Sequence, residues 1–286
     1  MLRQAGYSVI RACQWLGLSH SSFYYAPKER EDTQIEFAIQ SVANEYIPYG
    51  TRRVTHQLRR SPYRLIVNRK RVQRIMRQKG LLRPVKKRKC RTTDSQHPYP
   101  RYPNLVKDLE VVYPGQVWAA DITYIRLLSE FVYLAVILDI FTRKVLGWCL
   151  SRQLDQELTL AALRMALLAG RAPTIHHSDQ GVQYAATTYV ELLKLNQVQI
   201  SMAAVGKAEE NSFAERFMRT IKEEEVDLSE YRDFADARRQ IGYFIEAVYN
   251  QKRIHSALDY LTPVEFELAW RLALTQPVQQ APLSRA

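Results

Sequence analysis

The sequence predicts an α/β protein in two parts: all-α, helix-turn-helix-like modules at the N-terminus, then a mixed sheet with helices. Three observations predict it. Apolar residues recur at helical spacing up to about residue 80 and at strand spacing from about residue 105. The second part runs three strands in succession and then alternates helix and strand. Charge divides at the same place: residues 1–105 hold 22 basic and 6 acidic side chains, residues 106–286 hold 19 and 23. The length, 286 residues, suits two domains and a small module.

Residues 1–30 form a short module. Val9, Cys13 and Leu16 share one helix face, Gly17 stops the helix, and Ser19 caps a second short helix carrying Phe23. Helix, glycine turn, helix is a helix-turn-helix outline, which a plain packing module also shares. Residues 31–84 form a second, basic module. Thr51 to Arg59 is a helix with Val54 and Leu58 inward. Asn68 caps the next helix, whose core face is Val72, Ile75 and Met76, and Gly80 ends it. Its outer face shows Arg69, Lys70, Arg74, Arg77 and Lys79.

From Arg52 to Arg91 there are 17 basic residues and no acidic one. A solvated face mixes signs; a one-sign block this dense points to a polyanion, most simply nucleic acid. Arg52, Arg53, Arg69, Lys70, Arg74 and Arg77 are the candidate DNA contacts of this module, joined by Lys86, Lys87, Arg88 and Lys89 of the linker 85–104, where Pro98, Pro100 and Pro103 mark the main boundary.

Within 105–270, Val117–Leu128, Phe131–Ile140 and Lys144–Leu150 read as an antiparallel meander, the middle strand buried on both faces. Helix Glu157–Leu168, strand Pro173–His177, helix Thr187–Leu195 and strand Val198–Met202 follow, then helices Glu209–Glu225 and Phe234–Tyr249. Residues 271–286 are a tail. The apolar run Phe131 to Leu138 has eight residues, against about 20 for a membrane helix. No secretory signal is visible. Cys13, Cys90 and Cys149 are scattered, with no disulfide framework or zinc spacing, so the expected compartment is a reducing cytoplasm.

Three acidic residues have unusual surroundings. Asp121 lies inside a strand between apolar neighbours, Asp179 follows a strand before Gln180-Gly181, and Glu215 shares a helix face with Asn211, Arg219 and Lys222. Singly, each has a plain structural reading: a backbone-bonded aspartate, an Asx-turn, and a surface Glu paired with Arg219. Together they are oxygen-only ligands, suited to Mg²⁺ or Mn²⁺ rather than zinc. Asp139 reads as a turn residue, Asp155 and Glu157 as helix N-terminal residues, His176 and His177 as packing groups, and Glu223, Glu224 and Glu225 as a solvated helix end.

Trp118 to Tyr124 (W-x-x-D-I-T-Y), His177 to Tyr184 (H-S-D-x-G-x-Q-Y) and Asn211 to Lys222 (N-x-x-x-E, then K) resemble the DDE insertion-sequence transposases of the frameshifting group, in the retroviral-integrase catalytic core superfamily. Thirty-five residues lie between Asp179 and Glu215, the spacing of that family. The stretches Asp139 to Trp148, Tyr249 to Leu258 with Thr262-Pro263, and Tyr49 to Leu81 resemble it too. Ser201-Met-Ala-Ala and Glu210-Asn211 depart from its usual Ser-x-Ser and Asp-Asn, and no His/Cys zinc module is present.

The resemblance implies an RNase H-like core and a transposase that cleaves element ends and transfers strands. Asp121, Asp179 and Glu215 would hold two Mg²⁺ (or Mn²⁺) ions, with Asn211, Arg219 and Lys222 on terminal phosphates. It implies terminal inverted repeats and target DNA as partners, a homo-oligomer on DNA, an upstream-frame fusion segment that aids end recognition, and a nucleoid location. A structure-specific nuclease and a silent DNA-binding repressor remain as alternatives.

Overall fold

The computed structural model describes residues 8–25, 31–82, 100–128, 130–204 and 207–275. Helix α1 (Val9–Leu16) begins at Ser8, whose side chain accepts from Arg11 N, and ends at Gly17 with φ 62°. Ser19 caps α2 (His20–Phe23) by accepting from Ser22 N. The expected inward face of α1 holds only in part. Cys13 is buried, but Leu16 is 58% exposed, because this two-helix piece is too small to cover a full stripe.

Helices α3 (Thr33–Glu45), α4 (Thr51–Arg59) and α5 (Arg69–Gln78) enclose a separate core. Val54, Leu58, Val72, Ile75 and Met76 are all buried in it, as their spacing requires. Asn68 caps α5 through a bond from Lys70 N.

The second part is a five-stranded sheet in the order β3-β2-β1-β4-β5. Its strands are β1 (Val117–Arg126), β2 (Phe131–Asp139), β3 (Val145–Ser151), β4 (Ile175–Ser178) and β5 (Gln199–Met202). The first three pair antiparallel, and β4 and β5 run parallel to β1. This is the RNase H-like arrangement. Alternation sends Val132, Leu134, Val136 and Leu138 to one face and Ala135 and Ile137 to the other, so β2 is buried on both sides.

Helices α6 (Gln156–Leu168) and α8 (Thr187–Leu195), with short α7 (Val182–Ala185) between them, cover one face. Asp155 caps α6 by accepting from Leu158 N. Gly147 lets α6 lie directly on β3, since a Cβ there would meet the Ala162 carbonyl at 2.1 Å. Helices α9 (Ser212–Glu224) and α10 (Phe234–Tyr243), continued by a π-helical stretch Phe244–Tyr249, cover the other face. Helix α11 (Pro263–Thr275) closes the described chain. The helix expected from Glu209 therefore starts at Ser212, behind a 3-10 turn Ala208–Asn211, and the one expected over Phe234–Tyr249 changes winding at Phe244.

The two parts lock together. Ile254 leaves the sheet domain and is fully buried in the helical core. Its N–H donates to Tyr49 Oη at 3.0 Å. Glu224 accepts from Arg253 at 2.6 and 2.8 Å and from Arg53 at 3.1 Å. His56 stacks on Tyr260, and Arg60 pairs with Glu265. The solvated-end reading of Glu223–Glu225 thus fails for Glu224, whose carboxylate is enclosed by arginines contributed by distant segments. Glu225 is also partly covered, accepting from Ser229 and Tyr231.

Candidate active site

The sheet register sets Asp121 opposite Val136 in mid-strand. Its Oδ1 accepts from Ile122 N at 2.8 Å. Burial, then the negative charge of Asp179, then that of Glu215, push its carboxyl up to about 8, although its own backbone bond and Lys222 oppose them. Asp179 stands just past the end of β4, the strand parallel to β1, and its Oδ1 accepts from Gly181 N at 3.0 Å. This is the Asx-turn that its sequence context suggested. Glu215 sits in the first turn of α9. The fold therefore brings Asp179 and Glu215, from two distant segments, into electrostatic range of Asp121. Among the described residues, no three His, Cys, Asp or Glu side chains lie close enough together to hold a metal ion.

The donor set nevertheless has the chemistry of a divalent-cation site. It is all oxygen, and the Asp121 carboxyl is pushed up by burial and by like charges that a cation would offset. Lys222 Nζ lies 4.5 Å from the Tyr124 ring centroid and within electrostatic range of Asp121. Asn211 is not aimed at a phosphate, as its motif suggested. Its Nδ2 donates to the Ala120 carbonyl at 2.9 Å and ties the start of α9 to β1 beside Asp121. Its buried Oδ1 has no hydrogen-bond partner. Arg219 is exposed, one turn beyond Glu215 on α9.

Tyr184, at the end of the His177–Tyr184 motif, carried no signal of its own in the sequence. Its buried hydroxyl has no hydrogen-bond partner, and burial, Tyr189, Asp121 and Asp179 all raise its pKa. Asp139, His176 and His177 behave as read, unlike Glu224. Asp139 is buried and accepts from Thr142 N, Thr142 Oγ1 and Gly115 N, which fixes its hairpin. His176 bonds Tyr189 Oη at 2.9 Å, and His177 bonds Ser201 Oγ at 2.8 Å and the Glu210 carbonyl at 3.1 Å. Burial drives His176 down to about 3, so it is a neutral packing group.

On the basic module, Arg52, Arg69, Lys70 and Arg77 are exposed. Two expected DNA contacts are engaged elsewhere: Arg74 pairs with Asp32, and Arg53 with Glu224. The acidic residues that hold them come from outside the basic block, which is why the block alone did not reveal the pairing. Lys86, Lys87, Arg88 and Lys89 lie outside the described residues.

This sheet order, with acidic residues on β1, after β4 and on α9 and a helical module in front, defines a protein with an integrase-type core. Integrase core domain models match residues 112–208 and 196–263, and an HTH-like domain model matches residues 29–89. The chain is 34% identical over 266 residues to the insertion element IS600 uncharacterized 31 kDa protein of Shigella sonnei, covering 89% of this chain and 96% of that protein. It is 30% identical over 276 residues to transposase InsF for insertion sequence IS3A of Escherichia coli strain K12, covering 92% and 95%. The HTLV-2 integrase catalytic core domain in complex with magnesium overlays with a TM-score of 0.43 at 17% identity, covering 55% of this chain and 98% of that one. The chain belongs to the insertion-sequence transposase family. Polynucleotidyl transfer is the general activity of that family.

Proposed function

We propose that Asp121, Asp179 and Glu215 carry out cleavage at the ends of an insertion sequence and the strand transfer that follows. One observation carries this reading: Asp179 and Glu215, from distant segments, both act on the buried Asp121, whose carboxyl burial and these two charges raise to about 8. A perturbed carboxyl flanked by like charges marks a site that pairs with something positive. Mg²⁺ or Mn²⁺, two ions per site, would supply Lewis-acid charge for the attacking and leaving oxygens when bound. The chain's own residues do the rest. The three carboxylates offer oxygen ligands from a rigid sheet and one helix. Asn211 fixes that helix against β1. Lys222, held over Tyr124, places a cation beside Asp121 for a phosphate oxygen. Arg219 extends this basic surface along α9.

The domain plan fits this division of labour: 1–30 and 31–84 for end recognition, 85–104 as a basic linker, and 105–270 for catalysis, the tail expected from 271 being taken up by α11 as far as Thr275. Arg52, Arg69, Lys70 and Arg77, with the linker run Lys86–Lys89, meet the terminal inverted repeats. Paired joining of two ends requires at least two protomers on DNA, and an upstream-frame segment assists their assembly. The setting is cytoplasmic, on the nucleoid.

The test is Glu215→Gln, which keeps shape and removes one charge. Cleavage and strand transfer are lost in Mg²⁺, while duplex binding in EDTA is retained. Cleavage at the wild-type rate would refute the triad.

A further inference from the structure

Helix α9 also walls a cavity of about 470 Å³ between the sheet domain and the helical module. Glu215 lines it, and the other charged groups lining it are Arg53 of α4, Arg143 of the β2–β3 turn, Arg216 and Arg219 of α9, and Arg253, so positive charge is in excess. Glu224 neutralises part of this charge through its bonds to Arg53 and Arg253. Arg143, Arg216 and Arg219 leave a positive surplus. Arg143 is the telling group. Its guanidinium lies 4.0 Å from the Phe213 ring centroid, and its Nη1 is buried with no hydrogen-bond partner. A buried, unsatisfied guanidinium N–H is costly, and a bound anion is one way to satisfy it. His255 reports the same local field: burial, then Arg253, Arg53, Arg143 and Arg216, push its pKa down to about 2.

We propose that this cavity is a phosphate site, that it takes one backbone phosphate of the DNA strand entering the core, and that Arg143 and Arg216 are its main donors. The proposal rests on the transposase reading above. Arginine forks match phosphate oxygens in pairs, and Arg143 is already oriented by its stack on Phe213. A strand phosphate suits the site better than a free anion because both parts of the protein line it, and only a polymer passes from the basic module to the carboxylates. Arg216 directly follows Glu215 in α9. A phosphate held there fixes the strand's register against the reacting phosphodiester. Arg143 and Arg216 are therefore positioning residues, distinct from the catalytic carboxylates.

The experiment uses the full chain as Arg143→Met, Arg216→Gln and the double variant, with Arg164→Gln as control, since Arg164 pairs with Glu157 on exposed α6. Duplex binding is measured in EDTA over a salt series, so the result is independent of cleavage and of the triad. The double variant should lower the log-log salt slope by roughly one unit and the affinity about tenfold. In Mg²⁺, KM for the duplex should rise with kcat largely kept. Arg164→Gln should match wild type in every measurement. Thermal melts confirm that the variants fold, and the exposed Arg216→Gln alone suffices for the slope if Arg143→Met does not. Unchanged slope and affinity in the folded variants overturn the proposal. It is equally overturned if inorganic phosphate binds wild type by calorimetry, binds neither variant, and the duplex slope stays at the wild-type value; the cavity then takes a small free anion.

Discussion

Replacing Glu224 by Gln tests the buried ion cluster that Glu224 forms with Arg253 and with Arg53 of the helical module. Its side chain is 8% exposed, that of Arg253 is 5% and that of Arg53 is 22%. The substitution keeps volume and one acceptor but leaves two guanidinium groups without their counter-charge. Removing one partner of a buried ion pair costs about 3–5 kcal/mol. The two Arg253 bonds, at 2.6 and 2.8 Å, are charge-assisted and account for most of that. The Arg53 bond is longer and wetter and adds less. A loss of about 3 kcal/mol is therefore expected for Gln, which retains a neutral acceptor. For a chain of this size that lowers Tm by roughly 6–12 °C. The assay is a thermal melt followed by far-UV circular dichroism, paired with limited proteolysis to locate the opening. Glu157→Gln, which breaks an exposed pair with Arg164, should change stability by less than about 0.5 kcal/mol. A Glu224→Gln melt indistinguishable from Glu157→Gln would refute the argument, because the cluster would then hold nothing together.

Three further outcomes follow from the same geometry. Burial alone would raise the Glu224 carboxyl, but the Arg253 bonds and the charges of Arg253 and Arg53 hold it below its ordinary 4.5. Its contribution is present above that value and is lost as pH falls through the lower folded value, so wild type should lose stability faster than Glu224→Gln below about pH 4.5. Asp121 has the opposite sign. Its folded carboxyl is raised from 3.8 to about 8, so ionising it costs stability as pH rises between those values. Asp121→Asn should accordingly melt higher than wild type in EDTA at pH 8, by at least about 1 kcal/mol, while losing cleavage; an unchanged melt would show that the carboxyl is not under strain from its neighbours. Removing the exposed charges Arg69, Lys70 and Arg77 singly should each lower the salt slope of duplex binding by up to about one unit, whereas Arg74→Gln should mainly destabilise α5 through loss of its Asp32 pair; salt titrations and melts separate the two effects.

The sequence by itself determined the elements and singled out the three carboxylates proposed as the site. Hydrophobic period is a local property, so α4 and the caps Ser19 and Asn68 were legible residue by residue, and the three strands of the meander were legible to within a residue or two. Asp121 stood out because an aspartate amid apolar strand residues needs a reason, and Asp179 and Glu215 joined it through motif spacing rather than through any visible contact. What only the tertiary structure decided were the charges paired across long separations. Glu224 looked like a solvated helix end because its partners lie 29 and 171 residues away. Arg74 looked ready for phosphate because Asp32 is 42 residues distant. Asn211 looked like a phosphate ligand until the fold placed the Ala120 carbonyl beside it. Burial and sequence-distant charge set the fate of an ionisable group, and neither exists until the sheet has paired and the helices have docked. For the same reason the arginine-lined cavity left no trace in the sequence: Arg53, Arg143, Arg216 and Arg253 lie in four separate segments that meet only in the folded chain.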